Sequence, residues 1–399
     1  MIGGFKNITK IPELQKKILF TLLLLAVYRI GVHVPTPGID TQALAALFEQ
    51  AKNSLLGLFD MFAGGALSRL SVFALGIMPY ISASIILQLL TVAVPHLEKL
   101  SKEGEAGRRK ITQYTRYGTV ILSIIQGFGI AVGLENMAGP TGLSIVITTG
   151  WGFRLMTVIT LTAGTSFIMW LGETITEKGI GNGISLIIFA GIVCGGPTAV
   201  VNTFRLLSMG EMGIFFGVIL LVLMVGVVGV IVFVESAQRR IPVQYAKRVV
   251  GRKMYGGQTT HLPLKVNTAG VIPPIFASSI IMFPATIANF IPHPWMKVVA
   301  GFLMPGRVVY ELFYVVLIIF FCYFYTAVTF NPVNVADNMK KHGGYVPGIR
   351  PGKRTAEYID SVLTRLTFSG AIYVSAVSLP CFLYPFVQGL FRHLHQPGG

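Results

Sequence analysis

The chain has 399 residues, of which 53% are hydrophobic and only 12% charged, with a mean hydropathy of +0.69. Soluble domains carry about 25% charged residues, so the composition excludes a soluble globular protein and predicts a polytopic membrane protein. The formal net charge is +16, and where those cations lie separates plain topology signalling from a basic partner surface.

A membrane span needs about 20 apolar residues. That ruler picks out nine stretches: 18–34, 72–94, 118–138, 152–171, 184–204, 213–234, 268–291, 308–330 and 367–390. The first contains Arg29 and has no small-residue cleavage site behind it, so it reads as a span and not as a removed signal peptide. Residues 58–90 are of two kinds. Asp60, Ser68, Arg69 and the pair Gly64-Gly65 interrupt the first third, whereas 77–90 carries no charge. A short interrupted piece feeding a true span is the pattern of a broken or re-entrant helix. Irregular backbone is tolerated at membrane depth only inside protein or against a cavity. The stretch therefore predicts a water-accessible interior.

Counting loops alternately, 24 of the 32 Lys and Arg fall on one side, 7 on the other, and Arg29 lies within the first span. Cytoplasmic segments carry the excess, which predicts a cytoplasmic N-terminus. Two loops on that side, 235–267 and 331–365, are rich in cations, aromatics and turn residues. Positive-inside signalling accounts for cations alone. A loop that only joins spans can be far shorter, so these lengths favour a docking surface for a large anionic partner such as ribosomal RNA, or for a soluble motor protein.

None of the 16 Asp and Glu lies mid-span; Glu173 and Glu235 sit at cytoplasmic ends and Glu311 near an outer end. Ion-coupled carriers keep ionisable groups at the midplane, so a proton- or carboxylate-coupled pump is disfavoured. The seven histidines (His33, His96, His261, His293, His342, His393, His395) lie in loops or at span ends, and a zinc site needs three or four convergent groups. Cys194, Cys322 and Cys381 lie far apart in apolar runs and are expected to pack as small hydrophobes. The glycine-rich GIGNGIS at 179–185 follows no strand and lacks a Lys-Ser/Thr pair, so it fails as a phosphate loop. It reads as a tight turn opening the fifth span, with Asn182 as its cap. No nucleophile–base pair is evident, no cofactor is implied, and the chain is not read as an enzyme.

Ile77 and Ile81 share a helix face, as do Ile184 and Ile188, and Ile275 follows Pro273-Pro274. Spacing alone leaves ordinary helix packing open for all of them. Ser82, Ser84, Gln88, Gln126, Ser278 and Ser279 place polar groups inside spans, where they prefer helix contacts or a cavity.

Several long motifs in chain order resemble the bacterial SecY family of protein-conducting channels. They are GGALSRLSVFALGIMPYISASIILQLL, GEAGRRKITQYTRYG, WLGETITEKGIGNGIS, QRRIPVQYAKR, THLPLKVNTAGVIPPIFASSI and VPGIRPGKRTAEYID. The resemblance implies an all-α polytopic membrane protein, a SecY-type inverted repeat of two five-helix halves around an hourglass pore. Residues 1–205 would be the N-terminal half and 206–399 the C-terminal half. The chain stops at Gly399, soon after the ninth span, so the tenth span is expected to be missing through truncation.

The resemblance further implies a plug over 58–71 with Phe59, Asp60, Met61, Phe62, Gly64, Gly65, Leu67 and Arg69. It implies a pore ring of Ile77, Ile81, Ile184, Ile188 and Ile275, and a lateral gate at Ser82, Ile85, Gln88 and Phe283. Arg239, Arg240, Lys247, Arg248, Arg252 and Arg350 would dock a motor or ribosome. The implied partners are the small membrane subunits SecE and SecG, the SecA motor ATPase, the ribosome, the translocating polypeptide with its signal peptide, and membrane lipids. The implied location is the bacterial cytoplasmic membrane. A secondary transporter of a small solute, also often built from inverted repeats, is the alternative.

Overall fold

The computed structural model describes residues 11–50, 60, 63–136, 145–210, 213–245, 248–250, 253–255, 259–290 and 308–379. The chain divides into two compact units, Met1–Glu211 with Ser279–Pro305, and Met212–Ser278 with Gly306–Gly399.

In the first unit α1 (Pro12–Gly31) is followed by a short helix α2 (Thr41–Gln50). Then come α3 (Met78–Ala93), α4 (Pro95–Lys102), α5 (Glu105–Asn136), α6 (Trp151–Lys178), α7 (Gly183–Val193) and α8 (Gly196–Ser208). Proline stands in the first turn of α1, α3, α4 and α8. Its fixed φ suits that turn, and its missing N–H would have had no partner there. Asn182 caps α7 as expected, its side chain accepting from the Ile184 and Ser185 amides at 3.0 and 3.3 Å. A 104° bend separates α3 from α4, so only the 16 residues of α3 continue the second span. The second span thus starts at Met78 and not at Val72, because residues 72–77 are turns.

The second unit holds α9 (Ile214–Ser236), α11 (Val308–Thr329), α12 (Pro332–Lys341) and α13 (Lys353–Ser378), and α10 (Ile272–Phe290) crosses from it to the first. Among the described residues five helical stretches are long and apolar enough to cross a membrane, six if α3 and α4 together count as one broken span. α9 is apolar all round and only its Phe216 is buried, the pattern of a helix facing lipid.

The two long loops are folded. β1 (Gln238–Tyr245) pairs antiparallel with β4 (Thr259–Lys265) on one side and with β5 (Gly344–Tyr345) on the other, while β2 (Arg248–Val250) and β3 (Lys253–Tyr255) form a hairpin. Ile241 and Val243 alternate with exposed Arg240 and Pro242 along β1, so one face is buried. Ile241, Val243, Leu264, Met339, Val346 and Ile359 form a core that both loops share. Residues 353–365, expected as loop, already belong to α13.

Candidate functional site

Of the expected plug, Phe59, Met61 and Phe62 lie outside the described residues. Asp60 is helical. Residues 63–77 are a run of turns, with one bridge between Ser71 and Pro35. Asp60, Gly65 and Ser68, which interrupt the apolar run, take part in the hydrogen bonds of this segment. The Asp60 carboxylate accepts from the Leu67 and Ser68 amides at 2.9 and 2.8 Å, and the Gly65 amide donates to the Asp60 carbonyl at 2.8 Å. The Ser71 amide donates to the Ala66 carbonyl at 2.9 Å. Two strand-like bonds tie the base of the turns to the end of α1: Thr36 N–H to the Leu70 carbonyl and Val72 N–H to the Val34 carbonyl, both 2.9 Å. Arg69 is exposed and contacts the His33 imidazole.

The turns are seated by apolar burial. Ala66 is fully buried, and Leu67, Leu70, Ala74 and Leu75 join Leu44, Phe48, Leu134, Ile145, Phe153 and Leu161 in one core. Each leucine buried this way contributes about 2 kcal/mol. Phe73 stacks between Tyr28 of α1 and Phe167 of α6, with ring centroids 6.0 and 5.9 Å away. A Cβ on Gly164 would collide with the Val72 carbonyl, so a glycine is what lets α6 lie this close. Glu135 near the end of α5 accepts from Arg154 Nη2 at 2.6 Å and from the Gly150 amide at 2.9 Å, tying α5 to the start of α6.

Sequence reasoning missed the contacts that reach the turns from α1 and α7. The Tyr28 hydroxyl donates to the Ala63 carbonyl at 3.3 Å, and Arg29 Nη1 donates to the Gly64 carbonyl at 2.7 Å. Gly64 has φ +67°, a left-handed conformation, and its Cα side faces Gly191 of α7. The signal was present: an arginine inside an apolar span is a functional candidate by default.

Four of the ring candidates lie in the first unit. Ile77 caps α3 and Ile81 follows one turn later, both buried. Ile184 and Ile188 occupy the first two turns of α7, with Ile188 buried and Ile184 partly so. Ile275 belongs to the second unit, in the first turn of α10, where it accepts from Ser278 Oγ at 2.9 Å through its carbonyl. Two gate candidates, Ser82 and Ile85, line an apolar cavity of about 260 Å³ with Ile86, Leu89, Leu122, Ser279 and Ile280. Gln88 is not in that lining; its amide donates to Ser84 Oγ at 3.4 Å. Phe283 lies in α10, and its side chain is outside the described residues.

Arg239 and Arg240 project exposed from β1, and Arg248 opens β2. Lys247 and Arg252 lie outside the described residues. Arg350 borders an open concavity of about 540 Å³ with Gly348, Ile349, Arg354, Glu357 and Tyr358, at the start of α13. Cys322 is buried as expected, but Cys194 is exposed, because it caps α7 where the helix ends. Cys381 lies outside the described residues. Among the described residues no three His, Cys, Asp or Glu converge as metal ligands.

The SecY family model matches residues 71–390. The chain belongs to the SecY family. The protein translocase subunit SecY of Escherichia coli K12 is 56% identical over 371 residues, covering 92% of this chain and 83% of that protein. The SecY subunit of Pseudomonas aeruginosa is 53% identical over 378 residues, covering 94% and 84%. Among solved structures, a protein-conducting channel superposes with TM-score 0.65 at 17% identity, covering 91% of this chain and 84% of that one. Sec61 in a canine ribosome-channel complex gives TM-score 0.60 at 16% identity, covering 95% and 92%. As a SecY-family member the chain is a protein-translocation channel subunit and a multi-pass protein of the bacterial inner membrane. These relatives are translocase subunits and lend no support to a small-solute carrier.

Proposed function

We propose that the chain passes unfolded secretory polypeptides across the inner membrane and releases membrane segments sideways into lipid, as a passive conduit driven by a partner. The observation that carries this reading is the order along 63–85: a buried seat of turns, then the buried pair Ile77 and Ile81, then Ser82 and Ile85 on an apolar cavity. The turns are the plug. Ile77, Ile81, Ile184, Ile188 and Ile275 form a ring of branched aliphatics that offers no hydrogen bonds, dewets and resists ions. Such a ring yields to a chain of any sequence because dispersion contacts are not directional. A signal peptide enters by the α3–α10 seam that holds Ser82, Ile85 and Ser279.

The N-terminus is cytoplasmic, so the folded loops with Arg239, Arg240, Lys247, Arg248, Arg252 and Arg350 meet the SecA motor or the ribosome. Relatives of this fold have been solved on ribosomes. SecE and SecG complete the membrane complex, and no catalytic step is assigned to this chain. A photocrosslinking residue at position 81 tests the reading. It is expected to capture a stalled secretory chain in the assembled complex. Absence of capture, together with specific flux of a small solute, would overturn it.

A further inference from the structure

We infer that Arg29 is the positioning residue that holds the 63–76 turns shut, and that a translocating chain releases it by supplying a substitute acceptor. The inference rests on the plug reading above. Arg29 lies in the last turn of α1, half-buried. A guanidinium at membrane depth keeps its charge and needs acceptors. Among the described residues its hydrogen-bond partner is no carboxylate but the Gly64 carbonyl, at 2.7 Å. The adjacent Tyr28 hydroxyl reaches the next carbonyl back, that of Ala63. Two neighbouring side chains of one span thus grip two successive carbonyls of one turn. A Cβ on Gly64 would stand 3.2 Å from Arg29 Nη1 and 2.9 Å from Gly191 Cα, so the turn is held between α1 and α7 with no slack.

Displacing the turn takes this acceptor away from Arg29. In an empty channel the guanidinium is then left without its carbonyl, which is costly away from bulk water. An extended polypeptide in the same space carries backbone carbonyls with no partners of their own. It can replace the Gly64 carbonyl whatever its sequence, because every residue has one. The latch therefore resists opening when the channel is empty and offers little resistance when it is occupied. This asymmetry follows from backbone chemistry and imposes no preference among substrates.

The test uses the complete channel complex in proteoliposomes, with the native cysteines replaced by serine and Leu67→Cys as reporter. Leu67 is 5% exposed in the seated turn. Its modification by a membrane-impermeant maleimide reads displacement, first in the empty complex and then with a stalled secretory chain. Arg29→Gln is expected to speed modification about tenfold or more when empty, the size of a hydrogen bond to a charged group. The change is expected to stay below about twofold when occupied. Arg29→Lys, which keeps the charge and a donor, is expected to restore most of the parent rate, as a mere packing role would not. If Arg29→Gln fails to assemble, Tyr28→Phe gives a second reading, expected at a few times the parent rate when empty. Parent-like rates for the Arg29 and Tyr28 variants while Gly64→Ala is accelerated overturn the latch but not the plug. Equal acceleration with and without the stalled chain overturns the exchange. Parent-like rates for Gly64→Ala as well overturn the plug reading itself.

Discussion

Replacing Gly64 by alanine asks how much of the seat is backbone shape. Gly64 has φ +67°, where an L-residue costs roughly 1–2 kcal/mol. The new Cβ would also lie 2.9 Å from Gly191 Cα, which is backbone and cannot swing aside. Relieving such overpacking costs about 1 kcal/mol or more. Both terms fall on the seated turn, since a displaced turn is free of the contact and of the fixed φ. The sum is about 2–3 kcal/mol, and each 1.36 kcal/mol is a factor of ten, so the displaced population rises about 30- to 160-fold. The assay is the maleimide rate at Leu67→Cys in the otherwise cysteine-free complex, with the thermal midpoint measured alongside. A large rate increase with little change in the midpoint marks local displacement. A rate within about threefold of the parent would refute the strain argument.

Other perturbations test the rest of the architecture. Glu135→Gln keeps the shape but leaves Arg154, whose side chain is 29% exposed, without its charge partner; the expected cost is about 2–3 kcal/mol. A double-mutant cycle with Arg154→Met, read by denaturant unfolding, should return a coupling above about 1 kcal/mol, and a coupling near zero would refute the pairing. Ile241→Ala empties a position that is 2% exposed in the shared loop core. It should cost about 2–4 kcal/mol, seen as faster proteolysis of 235–267 and weaker motor or ribosome binding, while Leu67→Cys labelling stays unchanged. Arg350→Glu reverses a charge on the exposed concavity; partner-driven transport should fall with the thermal midpoint kept, and unchanged transport would remove Arg350 from the docking surface.

Much of the fold was legible because the bilayer simplifies the code. As far as the described residues reach, the apolar stretches fall on helices, since in lipid a spanning segment must satisfy its own backbone; 72–77 are turns and 184–204 is split between α7 and α8. Asn182 was legible for the same local reason: its side chain serves amides two and three residues ahead. The limits of the helices were less so. α5 begins at Glu105, thirteen residues before the apolar run, because a charged extension can stay helical in water on its i, i+4 pairs, such as Glu105 with Arg109. The second span begins late, at Met78, because residues 63–77 are held by contacts from α1, α2, α5 and α6 that no local pattern encodes.

The sequence by itself determined that the chain is a multi-span membrane protein, where its cations concentrate, and which family its motifs resemble. Those follow from composition, apolar length and long local motifs, all of which are one-dimensional. Only the tertiary structure decided how residues 63–76 are held. Asp60 caps the turn, Gly64 faces Gly191, and Arg29 reaches a carbonyl 35 positions away. It also decided that the loops at 235–267 and 331–365 share one core. Both are non-local: a backbone carbonyl has no sequence signature as a partner, and a strand pairing across about a hundred residues leaves no periodicity in either strand alone.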